Sequence, residues 1–258
     1  MNNVVLAVGA HPDDIEFSSA GTLLKLREKG WEINMWNLAN GSAGSKSRPA
    51  EEIADQRWQE AQNSARILGA IMHPPLFPDL GIFYDAPSLA QVSSVVRAVN
   101  PAIILTHPPS DYREDHQNTC RLMVTAAIAK GLPNYQVTPS HDGNDDQIAI
   151  YHTPPLGCRT GLNESVRPSL FVDIKSVIPG KIRMLMAHES QIPWLAQTQS
   201  MSSLEEVLLK EARMLGALSG SFNFAEAFIP HQKRGYSEES FTPLEDALQD
   251  EIIQSLEE

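Results

Sequence analysis

Four residues near the start of the chain, His11-Pro12-Asp13-Asp14, place an imidazole and two carboxylates directly after the apolar run Val4–Ala10. The run predicts a buried strand, and open α/β sheets form their active sites at the carboxyl ends of such strands. Imidazole and carboxylate are ligands that suit Zn²⁺, and this spacing allows His11 and Asp14 to point at one metal ion. Asp13 is then available as a general base beside it. An ordinary strand-to-helix turn with aspartate caps would contain the same residues.

A second polar cluster follows a second apolar stretch. Ala102–Thr106 predicts a short strand, and His116 stands at the start of the next predicted helix. Asp115, beside it, could accept a hydrogen bond from a histidine ring and fix the tautomer of that ring. Catalytic zinc usually takes three protein ligands, which makes His116 the candidate third ligand. A single histidine at a helix start is more often merely exposed, but matched chemistry at two strand ends favours a metal site.

The motifs together resemble the LmbE/PIG-L-type N-deacetylases, which are zinc-dependent enzymes that remove an acetyl group from N-acetylglucosaminyl compounds. The resemblance is carried by short motifs between Val4 and Phe228: Ala10–Asp14, Arg57 with Glu60, Ala65, Leu68-Gly69, Asp115-His116, Val172–Ile174, Ala187–Gln191 and Phe224–Phe228. A bare His-Pro-Asp-Asp is moderately specific, whereas the ordered set is a strong signal.

The resemblance implies a role for each matching residue. His11, Asp14 and His116 would bind one Zn²⁺, or another divalent metal, per chain; Asp13 would be the general base. Arg57 would point toward the substrate pocket, although a helical arginine could instead pair with a glutamate on the surface. The resemblance also implies a small amino-sugar or glycoconjugate substrate, and a homo-oligomer is expected on the same ground.

One position departs from the family pattern. Many members have a histidine three residues before the last ligand, thought to assist the oxyanion or the leaving amine, and this chain has Arg113 there. Three interpretations stay open: Arg113 replaces the histidine as oxyanion donor, another group (His107, His188 or Tyr112) serves, or the substrate differs. His188 could equally be a core histidine.

Strand-like and helix-like segments alternate in the first half of the chain. This pattern predicts an α/β fold with a Rossmann-like, mostly parallel sheet and helices on both faces. The predicted strands are Val4–Val8, Glu32–Ala39, Ile71–Phe77 and Ala102–Thr106. The predicted helices are Ala20–Lys29, Pro49–Gly69, Ser88–Asn100 and Asp115–Lys130. Two prolines in Ile71–Phe77 predict that this strand lies at the sheet edge.

The second half of the chain is less regular. Strands or extended segments are predicted at Ile148–Tyr151, Ser169–Val172 and Phe222–Ile229, and helices at Asp173–His188, Leu204–Leu218 and Leu244–Leu256. The polar segment Pro133–Gln147 is predicted to be a loop or a mobile lid. Together with the loops Gly41–Pro49 and Asp79–Pro87 it is expected to form the pocket walls. Glu226 is predicted to be either a surface carboxylate or a site or lid residue.

Length and composition predict one α/β domain, with a core over about 1–130, substrate-side and lid elements over 131–230 and a C-terminal extension over 231–258. A net charge of −12 without a lysine- or arginine-rich stripe argues against nucleic-acid binding. No apolar run reaches membrane-spanning length, and the first residues lack a basic signal-peptide region. Two cysteines are too few for a disulfide framework, so a cytoplasmic protein is expected.

Several functions are consistent with this sequence pattern. The leading hypothesis is a zinc hydrolase that removes an N-acetyl group from an N-acetylglucosaminyl or related amino-sugar compound. The alternatives are a zinc amidohydrolase for a different acyl amide, a binding protein that keeps its metal without hydrolytic activity, and a Rossmann-type small-molecule binding module. The last is disfavoured because Gly9 stands alone, without the glycine pattern that holds a pyrophosphate, and because Asp13 and Asp14 would repel one.

Overall fold

A computed structural model describes residues 2–199 and 203–254, and the described residues include a mixed eight-stranded sheet with helices on both faces. The strands are β1 (Val4–Gly9), β2 (Glu32–Asn37), β3 (Ile71–His73), β4 (Ile103–Thr106), β5 (Ala149–His152), β6 (Leu170–Asp173), β7 (Ala225–Pro230) and β8 (Ile252–Gln254). The helices are α1 (Asp14–Ser18), α2 (Ala20–Glu28), α3 (Ala50–Leu68), α4 (Ala86–Val99), α5 (Glu114–Ala129), α6 (Ile178–Met186), α7 (Gln191–Gln199), α8 (Leu204–Ser219) and α9 (Pro243–Leu248).

The strand order explains where a site can form. It runs β3-β2-β1-β4-β5-β7-β6-β8; the first five strands are parallel, and β7, β6 and β8 join antiparallel. The predicted Rossmann-like, mostly parallel α/β sheet is therefore confirmed, as is the edge position of β3. The chain order reverses between β1 and β4, and open α/β sheets bind ligands in the crevice at such a point. The residues that follow β1 and β4 thus share one crevice.

Alternating side chains of β1 divide the core into two layers. Leu6 and Val8 pack with α4 and α5 on one face of the sheet. Val5 and Ala7 point to the opposite face and pack with apolar residues of α2, α3, α6 and α9. Since β1 is buried along its whole length, its carboxyl end is held on both sides.

Glu226 on β7 ties the sheet to the start of α2. Its carboxylate accepts hydrogen bonds from the backbone N–H groups of Gly21 and Thr22, from the Thr22 hydroxyl and from the Lys181 ammonium. It thereby satisfies donors that a helix N-terminus leaves unpaired. Glu226 is 1% exposed, so the prediction of a surface carboxylate is wrong. Its four protein partners identify it as part of a buried structural cluster.

Two other predictions about the second half of the chain are wrong. The helix predicted over Leu244–Leu256 ends at Leu248, and the chain returns to the sheet as β8 beside β6; positions 255 and 256 lie outside the described residues. The segment Pro133–Gln147 is a loop, but it contributes no residue to the cavity described below. Arg97 holds it instead, by donating hydrogen bonds to the carbonyls of Tyr135 and His141.

Among the helices that the structure describes, none combines the length and the apolar character that crossing a membrane requires.

Candidate active site

A cavity of about 260 Å³ lies at the carboxyl ends of β1 and β4. The residues that follow these strands line one part of it, and the turn after β5 together with α7 and α8 lines another. The loops beginning at Gly41 and Asp79 also reach it, as the sequence predicts. Its lining includes His11, Asp13, Asp14, Phe17, Gly44, Arg57, Asp79, Leu80, His107, Asp111, Tyr112, Arg113, His116, Leu156, Gln191, Trp194, Leu195, Glu211 and Leu215.

The turn after β1 sets the directions of its polar side chains. Asp13 has a φ of 105°, a left-handed conformation that aspartate tolerates better than most residues. Asp14 begins α1, and its Oδ2 accepts the backbone N–H of His11 at 2.7 Å. The two neighbouring carboxylates therefore have separate surroundings: Asp14 faces the histidines, and Asp13 faces Arg57.

The structure brings His11, Asp14 and His116 together. Asp14 Oδ2 lies 3.5 Å from His11 Nδ1 and 3.4 Å from His116 Nε2. Ligand atoms at normal zinc distances in a tetrahedral site lie about 3.4 Å from one another, so these separations fit. Both nitrogens are buried and have no hydrogen-bond partner among the described residues. Buried polar atoms are rarely left in this state, and a cation between the three groups would satisfy them.

Carboxylates behind the two imidazoles orient the rings. His11 Nε2 lies 2.9 Å from Asp115 Oδ2, and a proton on Nε2 leaves the Nδ1 lone pair directed at Asp14. The same Asp115 oxygen accepts the backbone N–H of Leu80 at 2.8 Å. His116 Nδ1 lies 3.1 Å from Asp111 Oδ1, although this contact is misaligned for a hydrogen bond. Both rings thus present one nitrogen to a carboxylate behind them and the other to Asp14. We call His11, Asp14 and His116 the ligand cluster, because these three residues could hold a metal ion.

His107 contacts both His116 and Asp14. Its ring stacks on that of His116 with centroids 3.9 Å apart, and its Nε2 lies 3.2 Å from Asp14 Oδ2. The same nitrogen accepts the backbone N–H of Ala10 at 2.9 Å, which joins the ends of β1 and β4. Since that N–H can only donate, this arrangement gives His107 Nε2 a lone pair rather than a proton.

Arg57 on α3 holds the Asp13 side of the site. It is 4% exposed, its Nη2 lies 3.4 Å from Asp13 Oδ2, and it donates a hydrogen bond to the Pro12 carbonyl. The alternative of a surface ion pair for Arg57 is therefore wrong. Gly41 makes room for it, because a Cβ at Gly41 would lie 2.4 Å from Arg57 Cδ.

Burial and charge give the groups different proton affinities. Burial raises the pKa of Asp13 to about 6, against the opposing charge of Arg57. Burial also acts to raise the pKa of Asp14, but the facing charge of His116 and the neighbouring His107 and His11 hold it well below its ordinary value. Burial lowers the pKa of His11, and Asp115 and Asp14 outweigh this and raise it to about 9. A metal ion bound here would compete with protons for these groups.

The remaining predicted site residues have different positions. Arg113 and Tyr112 line the cavity, with Arg113 Cζ 5.6 Å from the centre of the Tyr112 ring. His188 does not line it; this fully buried ring lies behind the cavity, and its Nε2 is 3.1 Å from Glu16 Oε1.

Sequence reasoning missed several residues of the cavity. Asp111 stands five positions before His116, a separation that matches no helical or strand period. Trp194 and Leu195 lie on α7, a helix that the sequence does not predict because it contains Pro193. Glu211 lies on the correctly predicted α8, and its charge pattern gave no sign that it faces a cavity.

The chain is similar to known proteins in both sequence and fold. Residues 6–127 match the family model described as PIG-L: GlcNAc-PI de-N-acetylase. The chain is 30% identical over 199 residues to a diacetylchitobiose deacetylase of Thermococcus kodakarensis, with 73% of this chain and 70% of the relative covered. It is 27% identical over 183 residues to a 4-oxalmesaconate hydratase of Pseudomonas putida, with 67% of each chain covered.

A solved structure of N,N'-diacetylchitobiose deacetylase from Pyrococcus horikoshii has the same fold. The TM-score is 0.74, with 24% sequence identity over 94% of this chain and 88% of the other.

Proposed function

The chain belongs to the PIG-L/LmbE family, and from this premise we propose that it is a metal-dependent hydrolase that removes the N-acetyl group from an amino sugar. One observation carries the proposal: His11, Asp14 and His116 converge in a cavity, and two of their nitrogens are buried without a hydrogen-bond partner among the described residues. The names of the related deacetylases support an N-acetylated sugar as the substrate.

We assign His11 Nδ1, Asp14 Oδ2 and His116 Nε2 as the ligands of one divalent ion, and we propose Zn²⁺ because two imidazoles and a carboxylate suit it. When bound, such an ion supplies Lewis acidity, which polarises an amide carbonyl and makes water more acidic. Asp115 holds the proton of the His11 imidazole on Nε2, the nitrogen that faces away from the cluster. The charge of Asp111, 3.1 Å from His116 Nδ1, favours a proton on that nitrogen.

Asp13 is the proposed general base. It accepts a proton from the attacking water while the water oxygen bonds to the acetyl carbon, and it then delivers that proton to the leaving nitrogen as the C–N bond breaks. A pKa of about 6 suits a group that must both take and give a proton near neutral pH. Arg57 positions the carboxylate and, with Arg113, is available to donate a hydrogen bond or a charge to the substrate oxygen.

A direct test measures metal content and acetate release from the purified protein. We expect about one zinc per chain, and equal amounts of acetate and primary amine from N-acetylglucosamine or N,N'-diacetylchitobiose. Dialysis against a chelator should abolish the release, and added Zn²⁺ should restore it. A metal-loaded protein that releases no acetate from any N-acetylated sugar would contradict the proposal.

A second candidate function is water addition to an unsaturated carboxylate. It is favoured by the related hydratase of Pseudomonas putida and by two guanidinium groups, Arg57 and Arg113, in the cavity, since guanidinium binds carboxylates well. The same protein preparation can be assayed with 4-oxalmesaconate by loss of the absorbance of the conjugated double bond. Hydration without acetate release would replace the proposed function with this one.

A further inference from the structure

The part of the cavity built by α7, α8 and the turn after β5 differs in chemistry from the ligand cluster. Phe17 and Trp194 pack there against a hydrophobic cluster that includes Leu195 of α7 and the buried Leu208 of α8. Leu215, two turns further along α8, lines the cavity together with Leu156. This wall is apolar and partly aromatic, whereas the ligand cluster consists of imidazoles and carboxylates.

A single carboxylate, Glu211, interrupts this wall. Leu208, Glu211 and Leu215 are three and four residues apart, so they share one face of α8. Glu211 Oε1 accepts the backbone N–H of Gly157 at 2.9 Å, which fixes the direction of the carboxylate. Its Oε2 has no hydrogen-bond or ion-pair partner within residues 2–199 and 203–254. An acceptor held in place at a cavity wall, with one oxygen unused, is suited to a donor on a ligand.

Glu211 and the proposed metal ligands lie on different elements of the fold. Burial raises the pKa of Glu211, while the Gly157 N–H and then the charges of Lys181 and Lys210 lower it. Glu211 lies on α8, whereas His11, Asp14 and His116 follow β1 and β4, and all four residues line the same cavity.

We propose that Glu211, Trp194 and Phe17 form a binding site for the second sugar ring of a disaccharide substrate. The inference rests on the proposed deacetylase function and specifies its substrate class. One face of a pyranose ring is largely C–H and packs on an aromatic side chain, while hydroxyls at the ring edge donate hydrogen bonds. A hydroxyl that donates to Glu211 Oε2 makes a charge-assisted bond in a partly desolvated site.

The test compares N-acetylglucosamine with N,N'-diacetylchitobiose as substrates of the zinc-loaded enzyme. For Glu211→Gln, which keeps the acceptor for Gly157, we expect kcat/KM for the disaccharide to fall about 10- to 100-fold, the range for losing a hydrogen bond to a charged group. The loss should lie in KM, with kcat nearly unchanged. The monosaccharide value should stay within about twofold, because that substrate leaves the second-ring site empty. Trp194→Ala should give the same selective loss, and Glu205→Gln, on the exposed start of α8, serves as the control.

A parallel loss for both sugars, or no loss for either, would overturn the inference and leave the proposed function intact. The failure of the proposed function is recognised separately, by calorimetric titration of N,N'-diacetylchitobiose. If the wild-type enzyme releases no acetate but binds the disaccharide at least about tenfold more tightly than Glu211→Gln, the binding site stands without the reaction. If neither release nor Glu211-dependent binding is found, both are overturned.

Discussion

Two buried polar clusters in this protein differ in how completely their atoms are paired. In the Glu226 cluster each carboxylate oxygen accepts two donors, and Lys181 also donates to the Phe17 carbonyl. In the ligand cluster, His11 Nδ1 and His116 Nε2 are buried without a hydrogen bond to the described residues. Burial and charge are similar in the two clusters, so neither property separates a structural cluster from a functional one.

The two clusters differ in whether their buried polar atoms have hydrogen-bond partners within the protein. A buried polar cluster in which every atom has a hydrogen-bond partner within the protein stabilises the fold and has no free donor or acceptor for a ligand. A buried cluster in which several acceptor atoms face one another without a donor is energetically costly, unless a bound group such as a cation satisfies those acceptors. We therefore assign the Glu226 cluster to folding and the ligand cluster to metal binding. The following predictions test this assignment.

The largest effect is expected for His116→Ala, and His11→Ala should behave alike. Each variant should lose its zinc, and acetate release should fall by at least ~10,000-fold because the Lewis acid is lost with its ligand. Metal analysis and acetate assays measure both quantities. His141→Ala, at an exposed histidine, is the matched control and should retain both metal and activity. A His116→Ala enzyme with full zinc content would remove His116 from the ligand set.

Asp13→Asn separates metal binding from proton transfer. The variant should retain about one zinc per chain and lose roughly 1,000-fold in kcat, within the range for loss of a general base. Asp142→Asn, at an exposed aspartate, is the control. Loss of zinc together with activity would show that Asp13 is needed to hold the ion, and its assignment as a base would fail.

Glu226→Gln tests the other cluster. Removing one partner of a buried ion pair leaves Lys181 uncompensated, and we expect the free energy of unfolding to fall by about 3 kcal/mol. Urea denaturation measures this change. Zinc content and kcat per folded molecule should stay near wild type, and Glu239→Gln, at an exposed glutamate, should change stability little. Normal stability combined with a large loss of kcat would reverse the assignment of the two clusters.

The smallest effect concerns His188, which pairs with Glu16 outside the cavity. Burial lowers the pKa of His188, but the Glu16 carboxylate outweighs this and holds the pKa above its ordinary 6.5. The charged pair therefore stabilises the fold fully below pH 6.5, and this contribution is lost as the pH rises through the raised pKa. The stability difference between wild type and His188→Gln should therefore shrink as the pH rises through that pKa. Urea denaturation at several pH values measures it, and a difference that grows with pH would contradict the assigned ion pair.

Much of the site is predictable because the sheet topology is simple. His11, Asp14 and His116 follow strands whose apolar composition identifies them, and adjacent parallel strands bring their carboxyl ends together. Asp115 is predictable as a partner of a histidine ring, although only the structure shows that the ring is that of His11.

The unpredicted parts depend on contacts between distant segments. Glu226 meets Gly21 and Thr22 across about 200 residues of sequence, so no local pattern separates it from an exposed glutamate. The same holds for Glu211, whose partner Gly157 lies on a different element. The predicted helix Leu244–Leu256 is too long because its acidic, weakly amphipathic sequence continues past Leu248, where the chain turns back to pair with β6.

The strand β8 has a practical consequence for protein engineering. It covers the outer edge of β6, which otherwise would expose a row of backbone donors and acceptors. Truncation before Ile252 would leave that edge open to strand addition by another molecule, so a shortened protein should aggregate even though every proposed metal ligand is intact.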